Sequence, residues 1–183
     1  MNSVVKSIRS KLSQLKVSKH LLPNDLKRRL IVSLILPQLD YCCVALTDIT
    51  SQHNLRLQRA LNACVRFACN AKWDEHITPY YRRMRWLGTE ARRHYFVACQ
   101  LYRILNTQQP QILFNSLNYR TAESSRATRA ARNLLSLQLC RTEMYKQSFN
   151  FTASKLWNSL PPHIREAESI SIFKYRMYEH LLN

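Results

Sequence analysis

A chain of 183 residues, 46% apolar and 21% charged, has the composition of a globular protein, yet it contains one glycine, Gly88. That scarcity excludes sandwiches, barrels and glycine-rich phosphate loops, which need residues at ease with positive φ, and leaves a mainly helical, all-α fold. A formal net charge of +17 makes nucleic acid the leading partner class; an acidic protein surface, an anionic membrane and simply solvated basic faces are the other readings.

Val4, Val5, Ile8, Leu12 and Leu15 open an amphipathic helix whose other side carries Lys6, Arg9, Lys11 and Lys16, ending before Leu22-Pro23. Asn24 caps a second helix with Leu26, Leu30, Ile31, Leu34 and Ile35 on its apolar side. Pro37 kinks or stops it, and Leu39 to Leu46 reads as a short helix set at an angle. A long helix starts at Thr50 or Ser51 and runs to about Asn70. Leu57, Leu61, Cys64, Val65 and Ala68 fall on one side of it, with Gln52, Arg56, Arg59, Arg66 and Asn70 nearly opposite. That arginine and amide stripe either follows a phosphate backbone or is a solvated face.

Thr78 with Pro79 begins the next helix, which carries Arg82 and Arg83 and reads as ending at Leu87-Gly88. Thr89 and Glu90 then start a helix that continues to Asn106, before Pro110. Ala91, Tyr95, Ala98, Tyr102 and Leu105 form one face of it, and Val97, Leu101 and Ile104 adjoin them. A narrow basic window remains, with Arg92, Arg93 and Arg103 around Phe96, a residue that is either core or a stacking platform for a base. After a short helix from Gln111 to Leu117, residues 118–133 read as a basic loop with Arg120, Arg126, Arg129 and Arg132 among small polar residues. Leu134 to Leu139 and Gln147 to Phe151 alternate enough to pair as a small β-hairpin. Pro161-Pro162 forces a corner after Trp157 and Leu160, and a last helix from Ser169 presents Ile172, Phe173, Met177 and Leu181. The segmentation is thus a helical bundle over 1–117, the loop 118–133, and a C-terminal subdomain over 134–183.

Catalytic chemistry finds no foothold in this pattern. Asp25, Asp40, Asp48 and Asp74 are scattered, and Asp74-Glu75, the only acidic pair, suits a loop or cap better than a metal site. The six cysteines form no CxxC pair and read as reduced core thiols; a zinc set of Cys64, Cys69, His76 and His94 fits no standard spacing. No cofactor is expected in this chain. No apolar run approaches the ~18 residues of a spanning helix, and residues 1–17 lack a signal-peptide apolar stretch. No membrane partner is therefore expected, and the location should be intracellular, nucleus or cytoplasm.

Five stretches together resemble the C-terminal part of a non-LTR retrotransposon reverse transcriptase of the jockey-like group. They are LIVSLILPQLDYC (Leu30 to Cys42), LQRALNACVRF (Leu57 to Phe67), HITPYYRRMRWLGTEARRHYFVACQLYRIL (His76 to Leu105), SFNFTASKLWNSLPPHIR (Ser148 to Arg165) and SISIFKYRMYEHLL (Ser169 to Leu182). Their order and spacing, more than any one of them, carry the resemblance. It implies a thumb-like helical bundle and post-thumb region that grips an RNA and DNA template–primer duplex. The fingers and palm, with the magnesium-binding carboxylates, would precede Met1, so a palm-bearing reverse transcriptase chain becomes a further expected partner. On this reading Arg56, Arg59, Arg66, Arg92, Arg93 and Arg103 are backbone contacts, with Arg82, Arg83, Arg126, Arg129 and Arg132 as further candidates. The competing expectation is a domesticated or decaying fragment that serves only as a protein-interaction or structural module.

Overall fold

The structure, a computed structural model, describes residues 2–41, 43–45, 49–120 and 133–182. Among these residues the chain is helical. Its elements are α1 (Asn2–Val17), α2 (Asn24–Leu34), α3 (Leu36–Asp40), a 3-10 turn at Cys43–Ala45, α4 (Ser51–Cys69), α5 (Thr78–Met84) and α6 (Thr89–Thr107). They continue with α7 (Gln111–Asn115), α8 (Glu143–Lys146), α9 (Phe149–Ser159), α10 (Pro162–Arg165) and α11 (Ile170–Leu182). The chain divides into two compact units: Met1–Cys43 and Ile49–Arg93 with Leu182, and Val44–Asp48 and His94–Leu181 with Asn183. The division falls inside α6, between Arg93 and His94, whereas the sequence pattern suggested one bundle through residue 117. Of the expected loop 118–133, residues 121–132 lie outside the described residues.

The first unit is organised by α4. Its start is fixed by Thr50, whose hydroxyl accepts from the His53 N–H at 3.3 Å, and its end by Asn70 in the left-handed region at φ 53°. Leu57, Leu61, Cys64, Val65 and Ala68 bury their side against Val5, Ile8 and Leu12 of α1 and Ile31 of α2, with Ile35, Met84 and Trp86 in the same core. Pro37 sits in the first turn of α3, where a missing N–H leaves no bond unmade. Of the short helix expected over Leu39 to Leu46, Leu39 and Asp40 belong to α3 and Cys43–Ala45 form the 3-10 turn, while residues 42 and 46 lie outside the described residues. Likewise α5 ends at Met84, with Arg85 in the left-handed region at φ 54°, and not at Leu87-Gly88.

Gly88 has a different use. A Cβ there would stand 3.2 Å from Gln58 Oε1, and that oxygen accepts from both the N–H and the hydroxyl of Thr89 at 2.9 Å. Gln58 Nε2 donates in turn to Asn62 Oδ1 at 2.8 Å and to the Tyr81 hydroxyl at 2.9 Å. The glycine lets the start of α6 approach a polar seam along α4.

In the second unit Val97, Leu101, Tyr102 and Ile104 of α6 pack with Trp157 of α9, Ile164 of α10, and Phe173 and Met177 of α11. The Tyr102 and Phe173 rings stack at 4.4 Å, and the Tyr102 hydroxyl donates to the Ala167 carbonyl at 2.7 Å. The hairpin expected near residues 134–151 does not form. Ser148 caps α9, its hydroxyl accepting from the Phe151 N–H, so Gln147 to Phe151 leads into a helix. Leu135 instead bridges antiparallel to Tyr119, and its N–H and carbonyl both bond the Asn158 side-chain amide at 2.8 Å.

Candidate nucleic-acid interface

A groove of about 870 Å³ runs between α1 and α4 of the first unit, lined by Arg9, Lys16, Lys19, Arg59 and Arg66, together with Ala60, Asn62, Ala63, Phe67, Ala71 and Trp73. Helical arithmetic places the charges. Arg9 and Lys16 are seven residues apart on α1, as are Arg59 and Arg66 on α4, so each pair returns to within about 20° of the same line and is separated by roughly 10 Å along the axis. Packing of Val5, Ile8 and Leu12 against α4 turns these two basic lines toward a common floor, where Ala60 and Ala63 leave room for close approach.

None of the lining residues is a carboxylate. Five cations thus face one channel without a countercharge among its walls, an arrangement whose field favours anions over cations. At the mouth stands Trp73, 89% exposed, in the connection between α4 and α5. Arg66 shapes that connection: its Nη1 donates to the carbonyls of Lys72 and Glu75, and its guanidinium lies 5.9 Å from the Trp73 ring centroid. A large aromatic face held beside a basic channel is a platform on which any base can stack.

The arginines singled out from the sequence are distributed unevenly around this groove. Arg59 and Arg66 line it, and Arg56, exposed, lies one turn before Arg59 on α4. Arg92 is directed inward, with Nε 2.8 Å from Asp40 Oδ1 and Nη2 bonded to Asp40 Oδ2, both side chains largely buried. Arg93 is half-buried and donates to Asn54 Oδ1 at 3.0 Å; burial lowers its pKa, with Glu90 and Cys43 opposing the shift. Arg82 and Arg83 are exposed on the last turn of α5, and Arg103 is exposed on α6 in the second unit. Arg126, Arg129 and Arg132 lie outside the described residues. Phe96 is half-buried, its ring edge-on to Tyr95 at 5.3 Å.

Sequence reasoning missed Arg9, Lys16, Lys19 and Trp73 as members of the site. The basic side of α1 was visible, but nothing in a single sequence says that it shares a channel with α4. Other chemistry stays quiet. Burial, with Asp40 next, pushes the Cys43 thiol up to about 11, and burial takes Cys64 to about 12, so both are neutral thiols at physiological pH. Among the described residues no three His, Cys, Asp or Glu side chains gather as a metal site, and no helix is long and apolar enough to cross a membrane. Comparison with known protein families, with curated proteins and with solved structures finds no match for this chain.

Proposed function

We propose that the first unit binds nucleic acid through the α1–α4 groove, acting as the thumb-like part of a non-LTR retrotransposon RNA-directed DNA polymerase. In this role it grips the template–primer backbone and supplies no catalytic group; a palm-bearing partner provides the carboxylates and magnesium. The observation that carries the reading is the groove itself: five cations, no carboxylate, and an exposed tryptophan at its mouth. The resemblance over five stretches of sequence supports the assignment to a polymerase and names the duplex.

Fluorescence anisotropy of a labelled RNA–DNA hybrid at low salt tests it, with an Arg9→Glu/Lys16→Glu/Arg59→Glu variant beside the native chain. The native protein should bind, with little sequence preference. The variant, whose substitutions lie on exposed positions, should keep its circular dichroism spectrum and lose at least 10²-fold in affinity, as expected for about three phosphate contacts turned repulsive. A folded native protein that ignores the hybrid at low salt would leave the protein-interaction reading in its place.

A further inference from the structure

Lys27 of α2 is only 4% exposed, yet among the described residues no carboxylate pairs with it. Its Nζ donates to Asn70 Oδ1 at 2.9 Å and lies 5.8 Å from the Phe67 ring centroid. Neither contact cancels a full positive charge. A buried ammonium is ordinarily paired with an anionic group. Here the ammonium borders a cavity of about 610 Å³ lined by Lys19, His20, Leu22, Asn24, Lys27 and Asn70. The two asparagines are tied together, Asn70 Nδ2 donating to Asn24 Oδ1 at 2.7 Å, which spends their acceptor oxygens on protein donors.

The backbone adds to the same end. Pro23 precedes α2 and provides no side-chain cap, and Lys27 N–H is the first to find a helical carbonyl, that of Pro23 at 3.0 Å. The N–H groups of Asn24, Asp25 and Leu26 are those that a helix start leaves without intrahelical partners. Asp25, the acidic residue of this turn, is turned to solvent and paired with Arg29 at 2.9 Å, and it does not line the cavity.

We infer that this cavity is a phosphate-binding site, in which Lys27, Lys19, His20 and the Asn24 amide hold one phosphate group at the start of α2. The missing countercharge of Lys27 is supplied by the ligand. The site is separate from the groove in all but Lys19, which lines both. It therefore stands whether or not the groove binds a strand. The phosphate has two sources, a free phosphate or the phosphate of a nucleic-acid strand, terminal or internal.

Inorganic phosphate is the first probe. Titrated into ¹⁵N-labelled full chain at constant ionic strength, it should give saturable amide shifts confined to residues 19–27 and Asn70. It should also raise Tm by about 3 °C at roughly ten times Kd. Lys27→Met keeps the packing over Phe67 and removes the charge; its Tm should no longer respond beyond what chloride gives. Should that variant fail to fold, Lys19→Gln/His20→Gln, on exposed positions, serves instead and should weaken binding about tenfold. Oligonucleotides with and without a 5′-phosphate separate the sources: shifts of the same amides by the phosphorylated strand alone mark a terminal phosphate, and by both strands an internal one. Shifts from inorganic phosphate alone mark a free anion. Absent shifts, shifts scattered over every basic surface, or an unchanged response in Lys27→Met would overturn the inference. The groove variant Arg9→Glu/Lys16→Glu/Arg59→Glu, which leaves Lys27 in place, should keep the phosphate response even if it loses the hybrid.

Discussion

Two faces of α4 use basic residues in opposite ways. Toward the start of α6, Asn54, Gln58 and Asn62 form a polar seam in which the neighbouring cations are consumed: Arg93 donates to Asn54, and Arg92 is held by both oxygens of Asp40. Toward α1, Arg59 and Arg66 join Arg9, Lys16 and Lys19 around a channel whose lining contains no acid. The first set of charges holds the unit together; of the second, Arg66 bonds the Lys72 and Glu75 carbonyls, and none meets an acid among the residues that line the channel. Arginine content alone does not distinguish them, because the difference lies in where one aspartate falls.

The largest effect should come from removing that aspartate. Asp40→Ala strands a largely buried guanidinium and should destabilise the chain by about 2 to 3 kcal/mol in chemical denaturation, somewhat below the range for complete burial. The same change tests the thiol beside it. Burial is the main reason that Cys43 is pushed up to about 11, but Asp40 adds to it, so the variant should alkylate faster at Cys43 than the native protein at pH 8.5. The sign of the pH dependence follows. Folded Cys43 and Cys64 keep their protons where unfolded thiols have begun to lose them, so the folded state binds more protons and their contribution to stability falls as pH rises from about 9 and levels near 11 to 12. A denaturation midpoint that rises over this interval would contradict the burial of both thiols.

Smaller changes sharpen the contrast from the channel side. Trp73→Ala should leave stability within about 0.5 kcal/mol and weaken binding of a single strand roughly tenfold, the scale of one lost base stack. A fully paired duplex should feel it less. On the seam side, Gly88→Ala sets a gain of about 0.4–1 kcal/mol from a stiffer unfolded chain against crowding of a Gln58 oxygen that Thr89 holds in place. A net loss of about 0.5 kcal/mol is expected, and in a Gln58→Ala background the same substitution should become neutral or stabilising.

Much of the fold was readable because it is local. The side of α4 bearing Leu57, Leu61, Cys64, Val65 and Ala68 is the buried one, and Thr50 and Asn70 bound that helix as their chemistry suggests. What failed depended on distant residues. Arg92 and Arg93 look like a surface strip until Asp40, 52 residues from Arg92 along the chain, is brought beside the first and Asn54 beside the second. Gly88 reads as a helix stop, yet Arg85 takes the left-handed turn and the glycine is needed for clearance against Gln58. The alternation of Leu134 to Leu139 suggested a strand partner in residues 147–151, but a serine cap three residues before Phe151 commits that stretch to α9. The channel itself was half visible: the cationic line of each helix could be read, their meeting could not.

The salt dependence of nucleic-acid affinity tests the division of labour most directly. Anisotropy of the hybrid duplex should be measured across salt for the native chain, for Arg9→Gln/Lys16→Gln/Arg59→Gln, and for Asp40→Asn/Arg92→Gln, in which an amide pair replaces the ion pair. If the channel carries the phosphate contacts, the slope of log K against log salt should become shallower by about 2 to 3 in the channel variant and stay unchanged in the seam variant, provided that both remain folded. An unchanged slope in the channel variant, or a shallower one in the seam variant, would contradict the account.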